Sequence, residues 1–441
     1  MQINLKAQNK HEEYKETELG LLPKEWEVVR LEEVADFETG KRMKGGALKN
    51  GEVISLGGEH IGNFGNISLI ETKYISKKFY DSLKQGKIQK NDIIICKDGA
   101  KTGKVAYIKE FSIKYMAVNE HVFIIRSKNL QKLNNYFLFC VIFSEIGQSQ
   151  VKKAYHGLIG GITRNDIHNF KIPLPPLEEQ HAIGFVLSTI QFAKEKTEQV
   201  IQATKEFKKS LMKHLFTYGP VSLEDVKKVK LKETEIGMVP EEWEVVRLGE
   251  IVEYNLGRTP PRNEKASWEN GIFPWVSIAD MRENNVISYT KEMISNYALK
   301  KYFKNRISKK GTLLMSFKLT IGRTAFLGID ATHNEAIISI YPQKNLNKNF
   351  LFYYLPTVDY SKYMDKAVKG NTLNKSKIDK IKILLPPLPI QQKIAEILST
   401  VDEKIQAEEN KKKALEELFK SMLHNLMTAK IRVKDLVIED V

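Results

Sequence analysis

A chain of 441 residues with 42% hydrophobic content holds material for two or three domains with ordinary buried cores. Its 69 lysines and arginines against 54 acids leave a net charge of +15, and an excess of that sign attracts phosphate, so nucleic acid is the expected partner. No apolar run reaches the ~18 residues that span a bilayer, the first residues are too polar for a signal peptide, and two cysteines, Cys96 and Cys140, make neither a disulfide framework nor a four-thiolate zinc site, so a reducing cytoplasm is the expected location.

Residues 1–22 read as a polar N-terminal arm, after which a first lobe, 23–174, opens on Pro23-Lys24-Glu25-Trp26-Glu27-Val28-Val29-Arg30-Leu31. The alternation from Trp26 to Val29 predicts a short strand with the tryptophan buried at the lobe's entrance. Short β-rich runs follow between Gly and Asn turns, at 52–56, 92–96 and 117–123. A helical segment around 133–146 and a closing strand over 170–174 complete the lobe. Leu174-Pro175-Pro176-Leu177 then starts a long helix over 175–217. In it Ile183, Val186, Ile190, Ala193, Thr197, Val200, Thr204, Phe207 and Leu211 recur in a heptad, a stripe that faces a partner helix. About 40 residues at ~1.5 Å each give a rod of roughly 60 Å.

A linker, 218–231, leads to a second copy of the whole arrangement. Pro240-Glu241-Glu242-Trp243-Glu244-Val245-Val246-Arg247-Leu248 repeats the opening phrase 217 residues later. Within the second lobe, 232–385, runs at 273–278, 312–316 and 332–338, a helical segment around 348–359 and a strand at 381–384 keep the first lobe's order. Leu385-Pro386-Pro387-Leu388 opens the second long helix, 386–429, in which Gln180, Ile183, Leu187, Ser188 and Thr189 are answered by Gln391, Ile394, Leu398, Ser399 and Thr400. Its stripe is Ile394, Leu398, Val401, Ile405, Leu415 and Met422, broken by Glu408 and Lys412, and residues 430–441 form a short tail. Two copies are too few for a solenoid. The expected fold class is α+β, with two pseudo-twofold-related lobes separated by two long antiparallel coiled-coil helices.

Catalytic signatures fail one by one. Gly99-Ala100-Lys101-Thr102-Gly103-Lys104 has three residues between its glycines where a phosphate loop needs four, and Val105 stands where Ser or Thr should hold Mg²⁺. The nine histidines form no HExxH pair and no His–Cys cluster, so no catalytic metal is expected. Both Pro-Pro pairs follow Leu, which removes the Asn/Asp-Pro-Pro-aromatic signature of amino-methyltransferases. What remains is basic surface. Lys77, Lys78, Lys84, Lys87 and Lys90 precede the Ile93 run, and Lys300, Lys301, Lys304, Arg306, Lys309 and Lys310 precede its counterpart at Leu313. Interleaved with Tyr80, Tyr302 and Phe303, these cations suit phosphate contacts that position a protein on DNA, although a solvated charged face has the same composition. The turns beyond those runs carry Lys97, Lys101, Thr102 and Lys104 in one lobe and Lys318, Thr320 and Arg323 in the other, side chains able to reach base edges. His60 and His121 read equally as packed or turn histidines.

With both duplications in view, the chain resembles the specificity subunit of type I restriction–modification enzymes over nearly its whole length. The marks are the repeated Pro-x-x-Trp-Glu-Val-Val-Arg-Leu phrases at 23 and 240 and the Leu-Pro-Pro-Leu-x-x-Gln helix starts at 174–180 and 385–391. The resemblance implies two target recognition domains, each reading one half of a bipartite double-stranded DNA site. It also implies coiled-coil helices that fix the spacer and dock two modification subunits. Catalysis would then lie elsewhere, with S-adenosylmethionine, ATP and Mg on modification and restriction (motor and nuclease) subunits, and no membrane partner. Asp92 has Thr312 as its counterpart, so no essential role is assigned to it. The alternatives are the recognition subunit of a related, simpler restriction system and a coiled-coil scaffold that binds no DNA.

Overall fold

The computed structural model describes residues 14–109, 115–155, 160–281, 285–364 and 373–433. They fall into two compact units, Met1–Glu198 with Asn410–Val441 and Gln199–Glu409. In the first unit four strands, β1 (Ala35–Thr39), β2 (Ile93–Cys96), β3 (Val105–Tyr107) and β4 (Val122–Ser127), form one antiparallel sheet in the order β1-β4-β2-β3. Ile93, Ile94 and Ile95 are all fully buried because both faces of this sheet are covered. Ile93 and Ile95 pack with Phe137, Leu138 and Val141 of the helix Asn135–Phe143, while Ile94 packs with Ile54 and Leu56 of a three-stranded sheet. A continuous apolar run is the sequence form of such a strand.

The second unit repeats the plan with β5 (Val252–Leu256), β6 (Leu313–Ser316), β7 (Thr324–Leu327) and β8 (Ile337–Pro342) in the order β5-β8-β6-β7, extended by Asn285–Ile287. Leu313 and Met315 join one core, Leu314 another, as their counterparts do. Each lobe closes where its entrance strand meets its exit strand: Glu27–Arg30 pairs with Lys171–Leu174, and Glu244–Arg247 pairs with Lys382–Leu385. Trp26 and Trp243 are buried beside those pairs, at 0% and 3% exposure. At the end of β1 a Cβ on Gly40 would lie 2.0 Å from Val118 O, and after β5 one on Gly257 would lie 2.0 Å from Asn334 O. Only glycine lets the strand leave the sheet that close to its neighbour.

Two stretches outside the expected lobes are ordered parts of them. The hairpin Tyr14–Thr17 with Gly20–Pro23 falls within the predicted arm, yet Leu22 is in the first core; Leu231–Thr234 with Gly237–Pro240 is its repeat. In the predicted tail, Ile431 and Val433 pack on the first core, and Arg432 ion-pairs with Glu179 and Glu25.

The long helices are α1 (Leu177–Tyr218) and α2 (Leu388–Met427). Within the first unit Lys412 meets Glu198, and within the second Lys205 meets Glu409 and Lys208 meets Asp402, so residue numbers rise on one helix as they fall on the other. They are antiparallel. The start of each is pinned identically. Gln180 and Gln391 are 0% exposed; their oxygens accept from Asn134 N and Asn347 N, and their amides donate to Lys132 O and Pro175 O or to Asn345 O and Pro386 O. Asn134 and Asn347 in turn cap the lobe helices that begin at Asn135 and Lys348. The repeated Leu-Pro-Pro-Leu-x-x-Gln phrase is therefore a latch between lobe and helix.

The seam of α1 differs from the expected stripe. Ile183, Val186 and Ile190 are buried and Leu211 is half-buried, but Val200 is 42% and Phe207 56% exposed. Beyond Ile190 the buried side chains are Gln191, Lys194, Thr197, Ile201, Lys208 and Leu215; from Lys194 on they fall one position past the expected stripe at every second step. Apolarity misleads here because a lysine buries its four-carbon stem when its ammonium finds a partner. Lys208 has Asp402 at 2.6 Å and the Tyr353 ring at 5.1 Å, and Lys194 lies 4.1 Å over the Phe64 ring. On α2 the stripe is as expected: Ile394, Leu398, Ile405 and Met422 are buried, Val401 and Leu415 half-buried, and the break at Glu408 is itself buried against Lys404. Among the described residues no helix is long and apolar enough to cross a membrane.

Candidate nucleic-acid interface

The cations before β2 lie on the helix Lys77–Ser82 and the loop after it, capped by Ser76. Lys77 pairs with Asp81 and sits 4.6 Å over the Tyr115 ring, and Lys87 sits 5.0 Å over Tyr80. Lys78 and Lys84 are exposed, with no ion pair among the described residues. Beyond β2 a tight turn carries Lys97, Lys101, Thr102 and Lys104. Gly103 has φ +82 there, and a Cβ on it would lie 2.6 Å from Val151 Cγ1. Lys101 is exposed, Lys97 lies over Phe123, Thr102 donates to Gly99 O, and Lys104 donates to Asn63 Oδ1 at 2.6 Å. Burial first, then the neighbouring Lys101, holds the Lys104 ammonium below its ordinary range. His121 in the next turn meets Asp98 at 2.6 Å, whereas His60 is buried, accepting from Gly57 N.

In the second lobe Lys300 is exposed, while Lys301 is held by Glu264 at 2.6 Å and Tyr297 at 2.7 Å. Hydrogen bonds from Lys301 foremost, then from Ser267 and Tyr302, pull the Glu264 carboxyl down to about 2. Beyond β6, Thr320 is exposed, Lys318 lies over Phe317, and Arg323 donates to Met281 O at 2.7 Å, tying the turn to its lobe. Lys301 and Arg323 are thus engaged inside the lobe, and Lys104 to a neighbouring loop, leaving Lys78, Lys84, Lys101, Lys300, Lys304, Arg306 and Thr320 as the open members of the predicted set.

Lys304 and Arg306 lie elsewhere, at a cavity of about 590 Å³ in the second lobe. Lys304 and Asn305 both adopt left-handed backbone, φ 53 and φ 59, which turns the chain off the helix Asn296–Phe303. Arg258, just past Gly257, and Lys375 line the same cavity, and no acid does. None of these four cations has an ion pair among the described residues. Arg258 and Lys375 were missed by sequence reasoning; the signal available was the position of Arg258 directly after the duplicated glycine that ends β5.

The first lobe fills the corresponding place. Arg126 on β4 grips Asp92 with Nε at 2.6 Å and Nη2 at 2.8 Å, reaches Glu38 with Nη1, and donates to Lys87 O. Glu38 also accepts from Gly86 N at 2.6 Å. Strand register equates Glu38 with Asn255 and Arg126 with Tyr341, and Asp92 and Thr312 each directly precede the matched strand. Asp92 is 1% exposed; burial pushes its carboxyl up and Arg126 pulls it down.

A profile of the Type I restriction modification DNA specificity domain matches residues 23–205 and again 240–417. The chain belongs to this family. The type I restriction enzyme MjaVIII specificity subunit of Methanocaldococcus jannaschii is 28% identical to it, over 97% of this chain and 98% of its own. A putative MjaX specificity subunit of the same organism is 28% identical over 96% and 98%. The crystal structure of a type I restriction–modification S subunit from M. genitalium shares the fold at 16% identity, with a TM-score of 0.55 over 91% of this chain and 96% of that one. As in other specificity-family chains, DNA sequence recognition is the work of this one.

Proposed function

We propose that each lobe of this specificity-family chain reads one half of a split double-stranded DNA site, with the long helices fixing the spacer and docking two modification subunits. The observation that carries the reading is the repeat: one lobe topology twice, each with exposed cations of its own, Lys78, Lys84 and Lys101 in one and Lys300 in the other, and its own latch to a long helix. Lys78, Lys84, Lys101 and Lys300 supply phosphate contacts, and Thr320 with its neighbours reaches base edges. Methyl transfer, ATP-driven movement and cleavage belong to modification and restriction subunits, which bring S-adenosylmethionine, ATP and Mg. This chain by itself takes none of the three.

Sequencing the methylated genome of a host that expresses the full system tests this. The expected result is a motif of two specified blocks around a spacer of fixed length. A single continuous motif would overturn the two-reader proposal, and saturable S-adenosylmethionine binding by this chain alone would overturn the division of labour.

A further inference from the structure

We propose that the cavity between Gly257 and Ser308 in the second lobe is a phosphate-binding pocket that the first lobe has closed with an internal ion-pair knot. The inference rests on the DNA reading only for where the phosphate comes from. Its grounds are three observations on matched positions of a duplicated fold. The first is charge: Arg258, Lys304, Arg306 and Lys375 line one cavity whose lining includes no carboxylate, and none of the four has an ion pair among the described residues; the acids nearby, Asp379 and Glu264, are bonded to the lining Tyr254 and Tyr302. Four uncompensated cations that share one cavity repel each other, and an anion relieves that repulsion.

The second observation is the comparison between lobes. Where the first lobe has Glu38, Asp92 and Arg126 bonded together, the second has Asn255, Thr312 and Tyr341. Both carboxylates and the arginine that neutralised them are gone, so the second lobe lacks anions at the positions where the first lobe's knot holds them. The third is backbone. Consecutive left-handed residues, Lys304 and Asn305, are uncommon outside glycine and cost on the order of 1–2 kcal/mol each. Here they set Lys304 and Arg306 on the rim of the cavity. At about 590 Å³ the space admits a phosphate with part of the sugar and base attached. Tyr302 and Tyr341 offer rings along it. His333, on the same lining, is kept neutral by burial near neutral pH, so the pocket's charge comes from its arginines and lysines.

Phosphate is the shared chemistry, and its source is either the DNA backbone or a free phosphate-bearing molecule. The full chain is compared with its Arg258→Gln/Arg306→Gln variant in two assays. In the first, affinity for a labelled DNA duplex is measured across salt concentration. Each lost phosphate contact lowers the slope of log affinity against log salt by about 0.9, so the double variant is expected to lose about 2 from that slope. In the second, thermal midpoint is measured in inorganic phosphate against chloride at matched ionic strength. The wild type is expected to gain about 2–4 °C near tenfold saturation and the variant nothing. The Arg258→Lys/Arg306→Lys variant keeps the charge and should retain the slope, which separates a lost contact from a damaged lobe. A changed slope assigns the pocket to the DNA backbone; a phosphate response with an unchanged slope assigns it to a free phosphate-bearing ligand. An unchanged slope together with no phosphate response overturns the pocket. If the wild type binds no DNA at all, the two-reader proposal fails, and the phosphate assay still decides the pocket.

Discussion

Arg126 shows what one side chain holds up. It donates to both oxygens of Asp92, which is 1% exposed, and to Glu38 and Lys87 O as well. Removing one partner of a buried pair strands the other's charge, at a cost of about 3–5 kcal/mol, so Arg126→Met should lower the first lobe's stability by that order in urea unfolding. Adding Asp92→Thr and Glu38→Asn, the residues the second lobe uses at those positions, should recover much of the loss. A triple variant no more stable than Arg126→Met would mean that the knot is not the term at stake. His333 is the matching case in the second lobe. Burial, only partly opposed by backbone hydrogen bonds to Asn334 and Ile337, lowers it from 6.5 to about 4, so the folded form holds a neutral ring. Between those values the unfolded chain binds a proton that the folded chain refuses. The stability from the neutral ring is whole above pH ~6.5 and falls as pH drops toward ~4, by about 3 kcal/mol at the bottom of the window. His333→Asn should flatten that part of a stability–pH curve, and an unchanged curve would assign the acid sensitivity to other groups. At this scale the sequence was partly legible. Runs of lysine pointed to basic surface, but which lysines stay open depends on partners such as Glu264 and Asn63 brought from 37 and 41 residues away.

The latch residues set the fate of whole elements. Gln391 is fully buried and serves Asn347 N, Asn345 O and Pro386 O at once. Gln391→Leu keeps volume and takes the partner from three backbone groups, of which Pro386 O is buried and Asn347 N half-buried; an unpaired buried group costs about 1–3 kcal/mol, so a loss of about that size is expected by urea titration. Gln180→Leu should behave alike in the first unit, and wild-type stability in both would show that water replaces the glutamines. Along α1 the prediction is a contrast. Ile190 is 8% exposed and Val200 42%, so Ile190→Asp should cost several kcal/mol and Val200→Asp no more than about 0.5. Equal thermal midpoints for the two variants would restore the apolar stripe that the buried face displaced. Helix length and the antiparallel partner were readable from the Leu-Pro-Pro-Leu repeat and the heptad. The frame of α1 was not, because Lys194 and Lys208 enter the seam through partners on other elements, Phe64, Asp402 and Tyr353. The hairpin at 14–23 escaped for a related reason: its charged sequence YKET hides a strand whose mate, Gly20–Pro23, carries the buried Leu22.

For the molecule as a whole, the duplication predicts that each lobe is a replaceable unit, and the entrance and exit strands suggest where to cut. The first lobe begins at Glu27–Arg30 and ends at Lys171–Leu174, strands paired to each other residue by residue. In an exchange of 23–173 the second cut lies on this two-stranded sheet and the first at the end of the hairpin strand Gly20–Pro23, so a foreign lobe with the same entrance strand and a Pro at the hairpin end closes in the same way. The exchanged segment also packs on both long helices, through Ile183, Leu187 and Ile190 on one and Phe419, Met422 and Leu426 on the other, and Gln180 bonds Asn134 N and Lys132 O, so a donor lobe must present the same apolar face. Trp26 donates to Glu179 at 2.9 Å, and Arg432 bonds Glu179 and Glu25. A donor lobe that brings the Pro-x-x-Trp-Glu phrase with Glu at the place of Glu25 keeps both. The turn after β2 and the loop before it, with their lysines, travel entirely inside residues 23–173, and nothing in the second lobe's cavity or turn is touched. Exchanging 23–173 for the matching lobe of a relative should then rewrite one specified block of the methylated motif, leaving the other block and the pocket's contribution to the salt slope unchanged. Loss of methylation with a folded chain would mean that the junction, not the reader, was broken, and restoring Glu at position 25 should rescue it. If both blocks changed together, base reading would have to be shared across the two lobes, and the modular account would fall.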